Sequence, residues 1–234
     1  MDNKSLTVLI PLYNKEKLIK IAVSQTVKLV KDLDYEIIVI ENESTDNSKQ
    51  EIEKYIKNCN DNVKLISTKK GLGNALKAGI ESSSKKYLTC IPADFSTGTS
   101  EISFFKNASD FEYVISSRTH PLSNSNQKIQ RTIISKVYNF LKKILLNLNY
   151  QDTQFSFIIK TDIAKVLSLE CRSSRFFITT ELVYYAVKNR IKVKEIPIEI
   201  HEQVGNVTTV KVLRDSLKIL FEMLMLFKRE GRLK

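Results

Sequence analysis

A short apolar run, a polar turn and a helical segment recur along this chain, and that recurrence constrains the fold more than any other feature. The clearest example is Glu36–Ser48 (EIIVIENESTDNS), in which four aliphatic residues precede two acidic positions and a Ser/Thr/Asp cluster. An all-apolar run of this length is typical of a parallel strand covered on both faces. The Ser/Thr/Asp cluster supplies N-cap residues for a following helix, so taken alone the turn also fits a capped helix with solvated acids.

The neighbouring segments repeat the pattern. Ser5–Pro11 (SLTVLIP) and Tyr87–Asp94 (YLTCIPAD) are apolar runs that end in turn residues or an acid, and Lys70–Gly79 (KGLGNALKAG) opens a helix with two glycines. Strand, polar turn and helix in alternation predict a βαβ sheet. Ligands of such sheets bind outside the carboxyl ends of the strands, so one cleft is expected to collect these turns.

Length and composition predict one compact unit. At 234 residues and 42% hydrophobic content, the chain is long enough to bury a substantial core. No linker-like stretch divides it, so we expect one domain over residues 1–210 and a basic amphipathic helix over 211–234 within the same unit. The three cysteines lack paired spacing and the start MDNKSLTVLI lacks a signal-peptide pattern, which predicts a cytoplasmic protein with reduced thiols.

The net charge of +11 raises nucleic acid, anionic membrane and phosphorylated substrate as partners. No nucleic-acid-binding motif is present, so nucleic acid is not expected. His120–Gln151 contains no acid and interleaves apolar residues with Lys128, Arg131, Lys136, Lys142 and Lys143. The apolar stripe of this helix fits packing on the sheet and fits an interface with anionic lipid equally well.

A second amphipathic run, Leu213–Phe227, precedes four basic residues near the end of the chain. It is too short and too interrupted by charges to span a bilayer, for which about 20 apolar residues are needed. It therefore predicts peripheral contact with the inner face of the membrane, or pairing with another copy of the chain or a membrane protein.

Seven segments in order resemble the inverting GT-A glycosyltransferases of family 2, and within them the dolichyl-phosphate mannosyltransferase-like branch. The segments are Val8–Glu16, Glu41–Asp46, Gly71–Gly79, Ser116–Arg118, Arg131 with Ser135 and Asn139, Asp152–Phe157, and Thr180–Leu182. The resemblance implies a GT-A, Rossmann-like α/β fold, a mostly parallel sheet flanked by helices with a C-terminal amphipathic helix. It further implies an inverting transfer from a UDP- or GDP-linked sugar to a polyprenyl phosphate.

The same resemblance suggests roles for individual residues. The implied catalytic residues are Asp94, Asp152, Glu181 and Arg118, and the acceptor phosphate is assigned to Arg131 and Ser135. The implied donor-binding residues are Pro11, Tyr13, Asn14, Glu16, Glu41, Asn42, Asp46, Gly71, Asn74 and Ala93. Two alternatives remain open, which are transfer to a saccharide hydroxyl in surface-glycan synthesis and an inactive relative that binds a nucleotide or lipid phosphate.

The chain also departs from the family pattern, mainly at the metal site. Pro92 stands where the family has the first acid of its D-x-D motif, and Ser96 stands at a further ligand position. Asp94 is then the one acid left to hold Mg²⁺ or Mn²⁺, which usually combines one or two carboxylates with phosphates and water. In the second turn, Glu43 replaces a usual glycine, which costs stability if the backbone there needs φ > 0.

The choice of acceptor decides whether a general base is needed. A phosphate oxygen is already anionic near neutral pH, whereas a sugar hydroxyl must lose a proton. Asp152 or Glu181 would take that proton, and the resemblance favours Asp152. Arg118 and Arg131 suit bidentate binding of phosphate.

Overall fold

A computed structural model describes residues 4–59, 61–94, 99–108, 110–118, 120–123, 129–154, 156–198 and 212–233, with the backbone alone at 129–133 and 212–215. The strands are β1 (Ser5–Leu12), β2 (Asp34–Glu41), β3 (Val63–Ser67), β4 (Tyr87–Cys90), β5 (Tyr113–Ser117), β6 (Ser156–Lys160) and β7 (Val193–Pro197). The helices are α1 (Ile19–Val30), α2 (Ser48–Asn58), α3 (Leu72–Ser82), α4 (Thr99–Asn107), α5 (Ile129–Leu146), α6 (Thr161–Glu170), α7 (Ile178–Lys188) and α8 (Val212–Glu230).

The described strands form one mixed sheet in the order β3-β2-β1-β4-β6-β5-β7. β6 runs antiparallel to β4 and β5, and all other neighbours are parallel. The predicted α/β sheet is therefore confirmed. The reversal of β6 was not predicted from the sequence, because an apolar run does not show the direction in which its strand lies in a sheet.

The central strands are buried because helices cover both faces of the sheet. The side chains of Ile37, Ile38, Val39 and Ile40 are at most 1% exposed, as expected for a doubly covered parallel strand. Successive residues of a strand point to opposite faces, so they divide between two apolar clusters. Leu9 and Ile38 lie in one cluster, and Val8 and Ile37 lie in the other.

Helices α5 and α8 pack against each other, and each keeps an apolar stripe at the surface. Leu146 of α5 and Met223 and Leu226 of α8 belong to the core. The expectation that Lys142 flanks the outer stripe of α5 is wrong, because its side chain is 0% exposed. Among the described residues, no helix is long and apolar enough to cross a membrane.

A buried acid fastens the strands at the edge opposite the carboxyl ends. Glu36 accepts hydrogen bonds from the Thr7 hydroxyl at 2.7 Å, the Ser84 amide at 2.6 Å and Lys64 Nζ at 3.0 Å. Burial raises the pKa of Glu36, but these hydrogen bonds outweigh it and lower the pKa to about 2. Three other segments of the chain are thereby joined to β2 through one ionised carboxylate.

The start of α3 lies against the loop between α6 and α7 at a distance that only glycine permits. A Cβ placed on Gly73 would lie 2.3 Å from the carbonyl oxygen of Ser173 and 2.5 Å from the carbonyl carbon of Ser174. Gly71 has φ 126°, a backbone conformation that favours glycine, and its Cβ would lie 2.2 Å from the Ser174 oxygen. The two glycines predicted to open this helix therefore permit contact between distant parts of the chain.

We predict that Gly73→Ala destabilises the protein by about 1–3 kcal/mol, because the new methyl group meets fixed backbone atoms. Gly79→Ala is the matched control within the same helix. Its Cβ would meet the side-chain ends of Leu9 and Ile40 at 2.9–3.1 Å, and these can move. Urea unfolding measures both free energies, and equal values for the two variants would contradict the prediction.

Candidate active site

The carboxyl ends of β1 to β5 and the start of β6 lie along one edge of the sheet. Leu12 pairs with Glu41 at the ends of β1 and β2, and Ser116 near the end of β5 lies opposite Ser156 at the start of β6. The Ser156 hydroxyl lies 3.5 Å from the carbonyl oxygen of Cys90 at the end of β4. The turns singled out in the sequence therefore share one edge.

The turns after β1 and β2 are locked together. The Asn14 side chain accepts a hydrogen bond from the Thr45 amide at 2.8 Å, and the Asn14 amide donates to the Ser44 hydroxyl at 3.2 Å. Both turns contain a residue with positive φ, at 51° for Asn14 and 63° for Glu43. The family glycine that Glu43 replaces thus falls where the backbone is left-handed, a conformation that costs a residue with a Cβ.

Two of the predicted donor-binding acids are engaged within these turns. Glu41 is 7% exposed and accepts a hydrogen bond from the Ser44 amide at 2.5 Å. Asp46 accepts from the amides of Glu16 at 3.2 Å and Ser48 at 3.0 Å. Burial raises the pKa of Asp46, but its hydrogen bonds from Ser48 and Glu16 outweigh that and hold the pKa below its usual value. Both acids therefore hold the backbone of these turns in place through hydrogen bonds from its amides.

Several buried polar atoms near this edge have no hydrogen-bond partner among the described residues. They include Asn42 Oδ1, in a side chain 4% exposed, Ser116 Oγ, in a side chain 0% exposed, and Gln154 Nε2 just before β6. Buried polar groups are usually paired, and an unpaired one calls for an explanation. Asn42 directly follows Glu41, so it lies where the resemblance assigns the donor nucleoside.

A lysine lies against the aromatic ring of the first turn. Lys70 Nζ lies 4.2 Å from the centre of the Tyr13 ring and contacts the Tyr13 hydroxyl. Asn74, in the first turn of α3, donates to the Lys70 carbonyl at 3.0 Å. Together with Gly71, these residues form a cationic and aromatic corner beside the turn after β1. Pro11 lies in β1 itself, opposite Ile40 of β2.

Asp94 lies beyond the end of β4, next to a lysine from the first turn. Lys15 Nζ is 4.0 Å from Asp94 Oδ2, and the Asp94 side chain is 41% exposed. Ala93 is buried beside it. No group of three or more His, Cys, Asp or Glu residues suited to a metal occurs in the described residues. A divalent ion would therefore fit at Asp94 only with most of its ligands supplied by a diphosphate and water.

Arg118 and Asp152 form the best-defined ion pair of the edge. Arg118 Nε donates to Asp152 Oδ2 at 2.7 Å and Nη2 donates to Oδ1 at 3.2 Å, the two-point geometry of strong guanidinium–carboxylate pairs. Asp152 is 8% exposed. Glu195 of β7 accepts from the amides of Gln151 at 3.1 Å and Asp152 at 3.0 Å, which fixes the loop on which Asp152 lies.

Glu181 is engaged in a different network. Its Oε2 accepts hydrogen bonds from the amides of Arg172 at 2.9 Å and Ser173 at 2.7 Å, and Arg229 of α8 donates to its Oε1 at 3.2 Å. Glu181 is 3% exposed. These contacts join α7, the α6–α7 loop and α8, which gives Glu181 a structural role in the arrangement observed.

The assigned acceptor residues lie on α5. Ser135 is half-buried, and the side chain of Arg131 lies outside the described part of the chain. Lys15, Lys70 and Glu195 were missed from the sequence, although each contacts a residue that was named. Lys15 and Lys70 belong to motif segments already identified, so their positions next to Asn14 and Gly71 were the available signal. Glu195 carried no signal, because strand alternation does not reveal which loop a side chain reaches.

Comparison with known proteins identifies the family of this chain. The family model described as Glycosyl transferase family 2 matches residues 7–166, which is more than half of the chain. A dolichyl-phosphate beta-glucosyltransferase of Dictyostelium discoideum is 26% identical, over 96% of this chain and 76% of that protein. The protein with the same name in Saccharomyces cerevisiae is 25% identical, over 92% of this chain and 71% of that protein.

Solved structures show the same fold. Glucosyl-3-phosphoglycerate synthase from Mycobacterium tuberculosis, in complex with phosphoglyceric acid, aligns with a TM-score of 0.70 over 99% of this chain and 81% of that chain. The two sequences are 13% identical, so the likeness concerns the fold. The predicted GT-A architecture is confirmed. The chain belongs to glycosyl transferase family 2 and is a glycosyltransferase.

Proposed function

We propose that this enzyme transfers a glucosyl group from a UDP- or GDP-linked sugar to a polyprenyl phosphate, with inversion at the anomeric carbon. The curated relatives are named dolichyl-phosphate beta-glucosyltransferases, and the Dictyostelium protein aligns with 96% of this chain. Dolichyl phosphate is a polyprenyl phosphate, so these names support both the sugar and the acceptor class.

One structural observation favours a phosphate acceptor over a sugar hydroxyl. Both carboxylates that were candidates for a general base are engaged by arginines, Asp152 by Arg118 and Glu181 by Arg229. A carboxylate held by a guanidinium is poorly placed to accept a proton from a hydroxyl group. A phosphate oxygen carries its charge already, so it attacks the anomeric carbon without a strong base.

The donor diphosphate is assigned to the cationic side of the turns after β1 and β3. Lys15 and Lys70 provide positive charge near Asp94 and Tyr13, and Asn42 and Ser116 provide unpaired polar atoms nearby. Asp94 would hold Mg²⁺ or Mn²⁺ together with the diphosphate oxygens. Such an ion, when bound, supplies positive charge that stabilises the leaving nucleoside diphosphate.

The acceptor phosphate is assigned to Arg118, Arg131 and Ser135. Arg118 is fixed by Asp152, so its guanidinium is held in one orientation before the acceptor arrives. A pre-oriented cation costs little reorganisation during the reaction. Arg131 and Ser135 are one helical turn apart on α5, which places both residues on one side of that helix.

The outer faces of α5 and α8 support a location at the membrane surface. Among the described side chains, the exposed large apolar residues on α5 are Val137, Phe140 and Ile144, and those on α8 are Leu217, Phe221, Leu224, Met225 and Phe227. Lys136 and Lys143 on α5 and Lys228 on α8 are exposed cations beside them. Apolar stripes flanked by lysines suit binding to anionic lipid, so the site would lie near the headgroups that carry the acceptor. We assign this contact of α5 and α8 to the cytoplasmic face of the membrane.

We predict that a UDP- or GDP-sugar stabilises the protein by about 2.7 kcal/mol at a hundredfold excess over Kd. Thermal unfolding with a panel of donors measures this stabilisation.

Asp94→Ala should abolish sugar transfer, and Pro92→Asp should strengthen the Mn²⁺ dependence by adding an oxygen ligand. Turnover with and without EDTA measures both effects.

Asp110→Asn is the control for Asp94→Ala, because Asp110 precedes β5 at the opposite edge of the sheet and its side chain is 69% exposed. Its activity should equal that of the wild type. Full activity of Asp94→Ala would show that the site is wrongly placed. Donor binding without turnover in the wild type would favour the inactive relative suggested by Pro92.

Asp152→Asn separates the two acceptor classes. The amide keeps the shape but removes the charge, so a saccharide hydroxyl acceptor should lose about 10²–10⁴ in rate through loss of the base. Transfer to polyprenyl phosphate should fall by less than about 10², because the change then acts through the orientation of Arg118. Rates measured with both acceptors test this, and the larger loss with polyprenyl phosphate would contradict the proposal.

We predict that the protein co-sediments with anionic liposomes and is partly released by salt, since the attraction to headgroups is screened. The double variant Phe140→Ser/Phe221→Ser should bind less, because it removes one apolar anchor from each helix. Val166→Ser/Leu169→Ser is the matched control on α6, where these residues are 64% and 86% exposed. An equal loss of binding in both double variants would exclude α5 and α8 as the membrane surface.

A further inference from the structure

Lys142 is a fully buried cation on α5 for which the proposed reaction has so far no role. Its side chain is 0% exposed, although lysines are rarely buried without a partner. Nζ donates to Asn139 Oδ1 at 2.8 Å and to the carbonyl oxygen of Tyr150 at 2.5 Å. It lies 5.3 Å from the centre of the Tyr138 ring. The lysine thus reaches from α5 to the loop that carries Asp152.

That loop is held from several sides at once. Lys142 binds the Tyr150 carbonyl, Glu195 binds the amides of residues 151 and 152, and Arg118 binds the carboxylate of Asp152. Each contact comes from a different element, namely α5, β7 and the end of β5. A loop with few contacts is mobile, whereas this one is fixed at the residue on which Arg118 depends.

The same residues form a balanced set of charges. Arg118 and Lys142 contribute two positive charges, and Asp152 and Glu195 contribute two negative charges. With Lys142 charged the set is neutral, and without that charge it is negative by one. An incoming phosphate acceptor would then meet one positive charge fewer beside the arginine that binds it, which weakens its binding.

We infer that Lys142 is a positioning residue, which holds the Asp152 loop and contributes one positive charge to the acceptor side of the site. The inference rests on the proposed function for its catalytic consequence. The contacts with Tyr150 and Asn139 stand independently of that function.

The charge of Lys142 is sensitive to mildly alkaline pH. Burial lowers the pKa of Lys142 to about 8, and the Asp152 and Glu195 carboxylates oppose that shift. Among the described residues, the Tyr138 ring lies beside Lys142 Nζ, and Tyr150 contacts Nζ through its backbone carbonyl. Burial raises the pKa values of both tyrosines, so both stay neutral at this pH. Lys142 is therefore expected to lose its proton as the pH rises through about 8.

The test compares the pH profiles of the wild type, Lys142→Met and Lys142→Arg. The wild-type kcat/KM for polyprenyl phosphate should fall as the pH rises through about 8. Lys142→Met should be about tenfold lower at pH 7, the equivalent of one weak charge interaction, and should not fall further near pH 8. Lys142→Arg should retain activity above pH 8, because a guanidinium does not titrate there. Donor Kd should be unchanged in all three.

A structural role alone would lower activity equally at every pH in Lys142→Met without removing the fall near pH 8. The same alkaline fall in wild type and Lys142→Met would therefore overturn the inference. So would equal kcat/KM values at pH 7. If Lys142→Met does not fold, the comparison of wild type with Lys142→Arg decides the question.

A second measurement does not depend on activity. In protein labelled with ¹³C-lysine, the Lys142 Cε resonance, assigned by its absence in Lys142→Arg, should titrate with a midpoint near pH 8. Asp152→Asn should lower that midpoint, because it removes a carboxylate that stabilises the ammonium form. A midpoint near 10.4, or one unaffected by Asp152→Asn, would overturn the inference. Absence of turnover with every polyprenyl phosphate would overturn the proposed function, while the titration still decides the role of Lys142.

Discussion

The reversed direction of β6 is the constraint on which the arrangement of the site depends. Because β6 is antiparallel to β4 and β5, its start lies beside their carboxyl ends. The residues just before β6, including Asp152, therefore reach the edge where Asp94 and Arg118 follow their own strands. If β6 were parallel, Asp152 would lie at the opposite edge of the sheet, the one at which Glu36 lies. One strand direction thus brings residues from the second half of the sequence to the edge of the sheet where the first half places its turns.

Charge at this edge is largely compensated before any substrate binds. Asp152 is paired with Arg118, Asp94 lies near Lys15, and Glu181 is paired with Arg229. The carboxylates of the Asp152–Arg118 and Glu181–Arg229 pairs have little access to water, and such pairs are well oriented but costly to separate. The protein therefore offers fixed cations with limited freedom to rearrange, which suits the proposed transfer because both of its substrates are anionic.

Much of the fold could be predicted from the sequence, because buried parallel strands are continuous apolar runs and their turns are short and polar. The sheet, the shared edge and the helix at Gly71 follow from such local patterns. The direction of β6, the burial of Lys142 and the structural contacts of Glu181 do not. Helical spacing identifies an apolar stripe but does not show whether a flanking lysine turns inward, and an acid in a motif looks the same whether it faces substrate or backbone amides. These outcomes depend on contacts between residues far apart in the chain.

The strand order also has a consequence for the route by which the chain folds. Strands β1 to β4 can assemble as soon as they are synthesised, and Lys4 fastens the end of α4 to them through the carbonyls of Phe105, Lys106 and Ala108. Strand β5 pairs only with β6 and β7, both of which come later in the sequence. It must wait for about 40 more residues until β6 is made, and pairing over such a separation is slow. The interval between synthesis of β5 and β6 is therefore when the nascent chain is most exposed to aggregation.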